Sequence, residues 1–149
     1  MAKTLNESFK KLTDAQLMAV CIYGEARSEP LAGKIAVAHV IMNRAKRGGW
    51  WGSTIQSVIL KTKQFSCFNE GDPNRLRLMT IAATWDKTFQ KNRILRECFY
   101  VAEGVIEGDL RDPTDGADHY NTLDSDPSWD DNMRPTCIIG RHEFFKETA

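Results

Sequence analysis

Two long apolar stripes of helical spacing, separated by only a few residues, constrain this chain more than any other feature. The first opens at Thr13, where Gln16 three residues later completes a capping-box pattern and Asp14 occupies the first turn. Leu17, Met18, Cys21 and Ile22 then recur at helical spacing, with Val20 beside them. The second stripe begins near Pro30, a residue suited to a first helical turn. It carries Leu31, Ile35, Ala38 and Met42, flanked by Val37, Val40 and Ile41, and ends at Gly48-Gly49. Stripes this broad predict helices covered on much of their circumference. The rest of the chain must therefore wrap around this pair.

The remaining segments suit that role. Ser53 is placed to cap a short helix reaching Leu60, and residues 61–74, with Gly71 and Pro73, read as a loop. A helix is expected over 76–89 and a stronger one over 92–108, its buried side formed by Ile94, Leu95, Cys98, Phe99, Ala102, Val105 and Ile106. Asp-Pro and Asp-Gly steps mark turns over 109–116. Residues 117–121 and 137–145 then read as two strands forming a small antiparallel pair, joined by a loop rich in Pro, Asp and Ser. No repeat or interdomain linker interrupts the pattern. The expected fold class is α+β, mainly helical, in a single domain over 1–149 with residues 1–12 as an N-terminal extension.

Bulk properties narrow the classes of function. The 149 residues carry 20 basic and 20 acidic side chains, so the total charge implies no electrostatic stripe for nucleic acid. No stretch approaches the length of a membrane span, and residues 1–11 lack the apolar core of a secretory signal. Synthesis in the cytoplasm, without stable membrane insertion, is expected. Cys21, Cys67, Cys98 and Cys137 are irregularly spaced with no C-x-x-C, and read as reduced structural thiols.

Glu25 stands out chemically. It lies four residues after Cys21, three after Ile22 and seven after Met18, so it continues the apolar stripe of the first helix. Desolvation favours the protonated form of a carboxyl, which equips it to deliver a proton to a leaving oxygen. The plain alternative is a frayed helix end that turns the carboxylate outward, paired with Arg27. Gly24 permits close approach of another chain segment, and Tyr23 offers a ring edge and a hydroxyl.

The motifs around Glu25 extend through the chain. They run from Tyr23-Gly24-Glu25-Ala26-Arg27-x-Glu29-Pro30 to Gly33-x-Ile35-Ala36-Val37-Ala38-x-Val40-Ile41-x-Asn43-Arg44. Ile55-x-x-Val58-Ile59, Gln64-Phe65-Ser66-Cys67-Phe68-Asn69 and Asp112-Pro113-Thr114-x-Gly116-Ala117 follow. Tyr120, Pro127, Trp129 and Ile139-Gly140-x-His142-x-Phe144 complete the series. Taken in order over residues 15–145, these pieces resemble the SleB-type cell wall hydrolase family, which includes spore-cortex-lytic enzymes and some phage endolysins. The resemblance implies a fold like goose-type lysozyme and lytic transglycosylases. It also implies cleavage of the bond between N-acetylmuramic acid and N-acetylglucosamine in peptidoglycan, with Glu25 as the catalytic residue.

Glycosidases usually employ two carboxylates. Asp112, Asp115 and Asp118 lie in turn chemistry, where capping is the expected use. A lytic transglycosylase needs only one, so a 1,6-anhydro product is favoured over simple hydrolysis. Gln64 and Ser66, flanking Phe65, are candidates to hold substrate sugars, or else they bond within their own loop. Tyr120 faces either the groove or the core. Trp129 either stacks on a sugar or closes the core beneath the sheet. The expected substrate contacts are thus Tyr23, Gln64, Phe65, Ser66, Tyr120 and Trp129. His39 and Asn43, four apart, read as a packed or solvated face rather than a metal pair.

No metal or organic cofactor is required by this chemistry. The expected partner is the peptidoglycan glycan strand, with no nucleic acid, and a monomer is anticipated. No separate wall-binding domain is evident, and the compact form suggests an endolysin that reaches the wall after a holin opens the membrane. Two rival readings remain: a zinc amidase or peptidase drawing its ligands from His39, His119, His142 and the cysteines, and a non-catalytic wall-binding module. The first lacks any short ligand pairing such as H-E-x-x-H.

Overall fold

The computed structural model describes residues 7–61, 64–124 and 132–148. Helix α1 (Asp14–Ala26) starts with the expected reciprocal cap: Thr13 Oγ1 accepts from the Gln16 N–H at 3.1 Å, and Gln16 Oε1 accepts from the Thr13 N–H at 2.9 Å. Every residue from Leu17 to Tyr23 is buried, so α1 is covered on all sides and forms the axis of the molecule. Helix α2 (Leu31–Arg47) follows after a short corner and ends at Gly48, with Arg44, Lys46 and Arg47 in the last turn, where cations oppose the helix dipole.

The surrounding helices are α3 (Ile55–Leu60), α4 (Pro73–Ala83), α5 (Trp85–Lys91) and α6 (Arg93–Glu107). Thr54, one position after the expected Ser53, caps α3 by accepting from the Ser57 N–H at 3.0 Å. The helix expected over 76–89 is two helices. Thr84 breaks it with φ −123° and ψ 38°, its hydroxyl donating back to the Thr80 carbonyl at 2.7 Å. Asp72 caps α4 through the Asn74 N–H, and Asn92 caps α6 through the Leu95 N–H. Helix α1 lies along α6 and also touches α2, α3 and α4. Phe9, 1% exposed, packs edge-on against Phe68 and so joins the core, while Glu7, Lys10 and Lys11 are exposed.

The sheet has three strands rather than two: β1 (His119–Thr122), β2 (Met133–Ile139) and β3 (His142–Glu147). All pairings are antiparallel in the order β1-β3-β2, with Tyr120 opposite Phe144 and Ile139 opposite His142. The single strand expected over 137–145 folds back on itself at Gly140, whose φ of +60° suits a residue without a Cβ. Ala36, Val40, Ala117 and Phe144, joined by Tyr120, Cys137 and Ile139, form a small apolar cluster that seats the sheet on α2.

Candidate active site

Glu25 is the penultimate residue of α1 and is half-buried. Its neighbours explain how a carboxylate is kept there. The Tyr120 hydroxyl donates a hydrogen bond to Glu25 Oε1. Burial, and then the negative charge of Glu25, push the Tyr120 phenol well above its ordinary pKa, so it stays a neutral donor. The Tyr120 ring is braced by His142, with centroids 5.1 Å apart, and by Phe144 at 5.6 Å.

On another side, the Cys67 thiol lies within hydrogen-bonding reach of Glu25 and of Cys21. That bond to Cys21, followed by burial, drives the Cys67 thiol far up, and burial raises Cys21. Gly24 makes this approach possible. A Cβ there would lie 2.7 Å from Cys67 Sγ and 2.9 Å from Leu78 Cδ1. Arg27 does not pair with Glu25: its guanidinium donates to the Tyr23 carbonyl at 3.2 Å and to Asn74 Oδ1 at 2.8 Å.

Three residues that sequence reasoning left aside complete the surroundings. Arg44 is 6% exposed, its guanidinium 5.2 Å from the Phe65 ring and 5.6 Å from Trp51, with Nε donating to the Asp118 carbonyl at 2.7 Å. Burial lowers its pKa, while the nearby carboxylates of Asp118 and Glu25 oppose that shift. Glu29, 6% exposed, accepts from the Arg141 N–H at 2.9 Å and lies 3.4 Å from His142 Nδ1. It thereby fastens the α1–α2 corner to the β2–β3 turn. Cys67 is the third. The spacing of Arg44, three after Ile41, four after Val40 and seven after Val37, places a cation on an apolar stripe, the same signal that singled out Glu25.

The expected substrate contacts separate. Tyr120 is brought to Glu25. Gln64 is half-buried and Ser66 exposed on the loop before α4. Phe65 is 2% exposed beneath Arg44, so its ring supports that loop from the core and presents no face to a ligand. Tyr23 is 7% exposed, accepts from Asn92 Nδ2, and lines a hollow of about 510 Å³ with Leu76, Arg77 and Thr80. Trp129 and Pro127 lie outside the described residues.

The other carboxylates are engaged elsewhere. Asp112 accepts from the Thr114 and Gly116 N–H groups and from Asn43; burial alone would raise its pKa, but these bonds lower it. Asp118, 1% exposed, meets Arg47 at 2.6 Å and His119 at 2.8 Å. Its hydrogen bonds outweigh burial and lower its pKa. Asp115 is exposed in the same turn. The three histidines are far apart in role: His39 bonds the Leu110 carbonyl, His119 meets Asp118, and His142 sits between Glu29 and Tyr120.

A model of the cell wall hydrolase family matches residues 28–145. The spore cortex-lytic enzyme of Halalkalibacterium halodurans is 31% identical over 132 residues, covering 88% of this chain and 34% of that protein. The corresponding enzyme of Oceanobacillus iheyensis is 43% identical over 58 residues, 39% of this chain and 21% of that protein. The chain thus spans about a fifth to a third of the length of these curated relatives. Among solved structures, the catalytic domain of the germination-specific lytic transglycosylase SleB from Bacillus anthracis is 30% identical, with a TM-score of 0.61, covering 89% of this chain and 93% of that domain. The SleB catalytic domain of Bacillus cereus is similar to the same extent, with 89% of each chain covered. Matched by the family model over most of its length and aligned with SleB catalytic domains through both helices and sheet, the chain belongs to the SleB-type cell wall hydrolase family.

Proposed function

We propose that this protein cleaves the glycan strands of peptidoglycan at the N-acetylmuramic acid–N-acetylglucosamine bond as a lytic transglycosylase, with Glu25 as acid and then base. The observation that carries the reading is the Tyr120–Glu25 hydrogen bond, which fixes one carboxyl oxygen of Glu25. The other oxygen is then the one that meets substrate. In its acid form Glu25 protonates the glycosidic oxygen as the bond to the muramic C1 breaks, and the N-acetylglucosamine side leaves as an alcohol. The carboxylate so formed removes the proton of the muramic 6-hydroxyl, whose oxygen attacks C1. A 1,6-anhydro end results, and Glu25 regains its proton.

Two features support this route over hydrolysis. Glu29, Asp112 and Asp118 are each held by structural bonds, which leaves Glu25 without an evident carboxylate partner among the described residues. The B. anthracis neighbour is named a lytic transglycosylase. An endolysin role, with access to the wall after the membrane is opened, belongs to the same proposal. Lysis of intact cells only when a membrane-permeabilising protein is co-expressed tests that part.

Digestion of purified peptidoglycan by wild type and Glu25→Gln, read by mass spectrometry, tests the chemistry. Anhydro-muramic ends from wild type alone support the proposal. Reducing ends would make the enzyme a muramidase, and full activity in the variant would remove Glu25 from the mechanism.

A further inference from the structure

Three shallow hollows share lining residues around the C-terminal end of α2. The first, about 490 Å³, is lined by Lys10, Trp50, Trp51 and Lys61. The second, about 300 Å³, shares both tryptophans and adds Arg47 and Glu147. The third, about 420 Å³, shares Arg47 and Glu147 and adds Lys46 and Lys146. Their shared walls make one continuous track.

Trp50 stands in the middle of it, 68% exposed. Its ring meets Trp51 edge-on, with centroids 6.5 Å apart, and Lys61 Nζ lies 4.5 Å from its centroid. Trp51 does the packing: it is 6% exposed, between the guanidinium groups of Arg44 and Arg47. Trp50 contributes little to the core and presents a large flat apolar surface to solvent. Charge along the track is one-sided. Among the lining residues Lys10, Lys46, Lys61 and Lys146 stand against Glu147, and Asp118 is paired with Arg47 and bonded to His119. In a chain with 20 basic and 20 acidic residues, this is segregation of charge rather than an overall excess.

The track is separate from the catalytic carboxyl. His119, whose ring lies 5.4 Å from that of Trp51, and Tyr120, bonded to Glu25, are successive residues of β1 and point to opposite faces.

We infer that this track is a second, non-catalytic binding site for a peptidoglycan strand that carries its peptide stems. Trp50 stacks on the flat face of an acetylated amino sugar, and the lysines face the carboxylates of the stems. The identity of the polymer rests on the proposed function. An aromatic flanked by cations also suits single-stranded nucleic acid. The wall strand is favoured because holding a neighbouring strand raises the effective concentration of the bonds that Glu25 meets.

Co-sedimentation of the full chain bearing Glu25→Gln with purified sacculi, over a range of salt, reads binding without digestion. Adding Trp50→Ala is expected to weaken retention about tenfold. Adding instead Lys46→Glu with Lys146→Glu is expected to weaken it and flatten its salt dependence. Removing the stems with an amidase should abolish the salt-dependent part. In the active chain the same substitutions should slow digestion of sacculi yet leave turnover of a short soluble glycan unchanged. Thermal melting screens each variant, and if Trp50→Ala does not fold, the lysine variant decides. Unchanged retention of the folded variants, loss of soluble-glycan turnover, or tighter retention on single-stranded DNA than on sacculi overturns the inference. Should the chain cut no glycan at all, sedimentation still decides the track independently.

Discussion

Tyr120 and Glu25, 95 positions apart in the chain, are joined by a hydrogen bond from the phenol to one carboxyl oxygen. Tyr120→Phe removes that donor and keeps the ring against His142 and Phe144. Peptidoglycan turnover should fall by about tenfold to a hundredfold, with melting shifted by only a few degrees. Undiminished turnover would show that the bond is dispensable.

Gly24→Ala tests the close contact beside Glu25. In an ordinary helix this exchange stabilises by about 0.5–1 kcal/mol. Here the new methyl meets Cys67 Sγ at 2.7 Å and Leu78 Cδ1 at 2.9 Å, and both belong to buried residues. Overpacking of this kind should destabilise by about 1–3 kcal/mol. A denaturant midpoint above that of wild type would contradict the geometry.

Asp118 links stability to pH. Its folded pKa is lowered, so the unfolded chain binds a proton more readily than the folded one. The stabilisation is present above the ordinary carboxylate value of about 3.9 and is lost as pH falls through the folded value. Asp118→Asn should cost about 1–3 kcal/mol at pH 7, and the gap from wild type should narrow as pH falls below the ordinary carboxylate range. Melting curves over that pH range check both the size and the sign.

The four thiols should differ in reactivity. Burial pushes the Cys98 thiol up to about 12 and raises Cys21, while Cys67 is raised by its bond to Cys21 and by burial. Cys137 is the half-exposed member. A thiol reagent at mildly alkaline pH should modify Cys137 quickly in the native protein and the other three only on unfolding. Fast native labelling of Cys67 would contradict its enclosure.

The sequence made the helical core and Glu25 legible because both rest on local spacing. The Thr13–Gln16 cap, the all-round burial after Leu17 and the Asn92 start of α6 need only neighbours within a turn or two. Arg44 is legible by the same arithmetic, since it follows Ile41, Val40 and Val37 by three, four and seven residues. Glu29 carried no such mark: its partner, the Arg141 N–H, lies 112 positions away. Strand β2 was obscured by Pro135, by a bulge between Pro135 and Cys137, and by exposed Ile138, which break regular alternation. Phe65 drew attention through its polar neighbours, yet its own ring lies in the core.

The strand order has a consequence for synthesis. Among the described residues strand β1, which carries Tyr120, pairs with β3, and β3 is made after both β1 and β2. Glu25 is made 95 residues before the phenol that bonds it. A nascent chain therefore cannot complete the surroundings of Glu25 until residues 142–147 have emerged and closed the sheet over α2. The order of strands ties the setting of Glu25 to the emergence of β3.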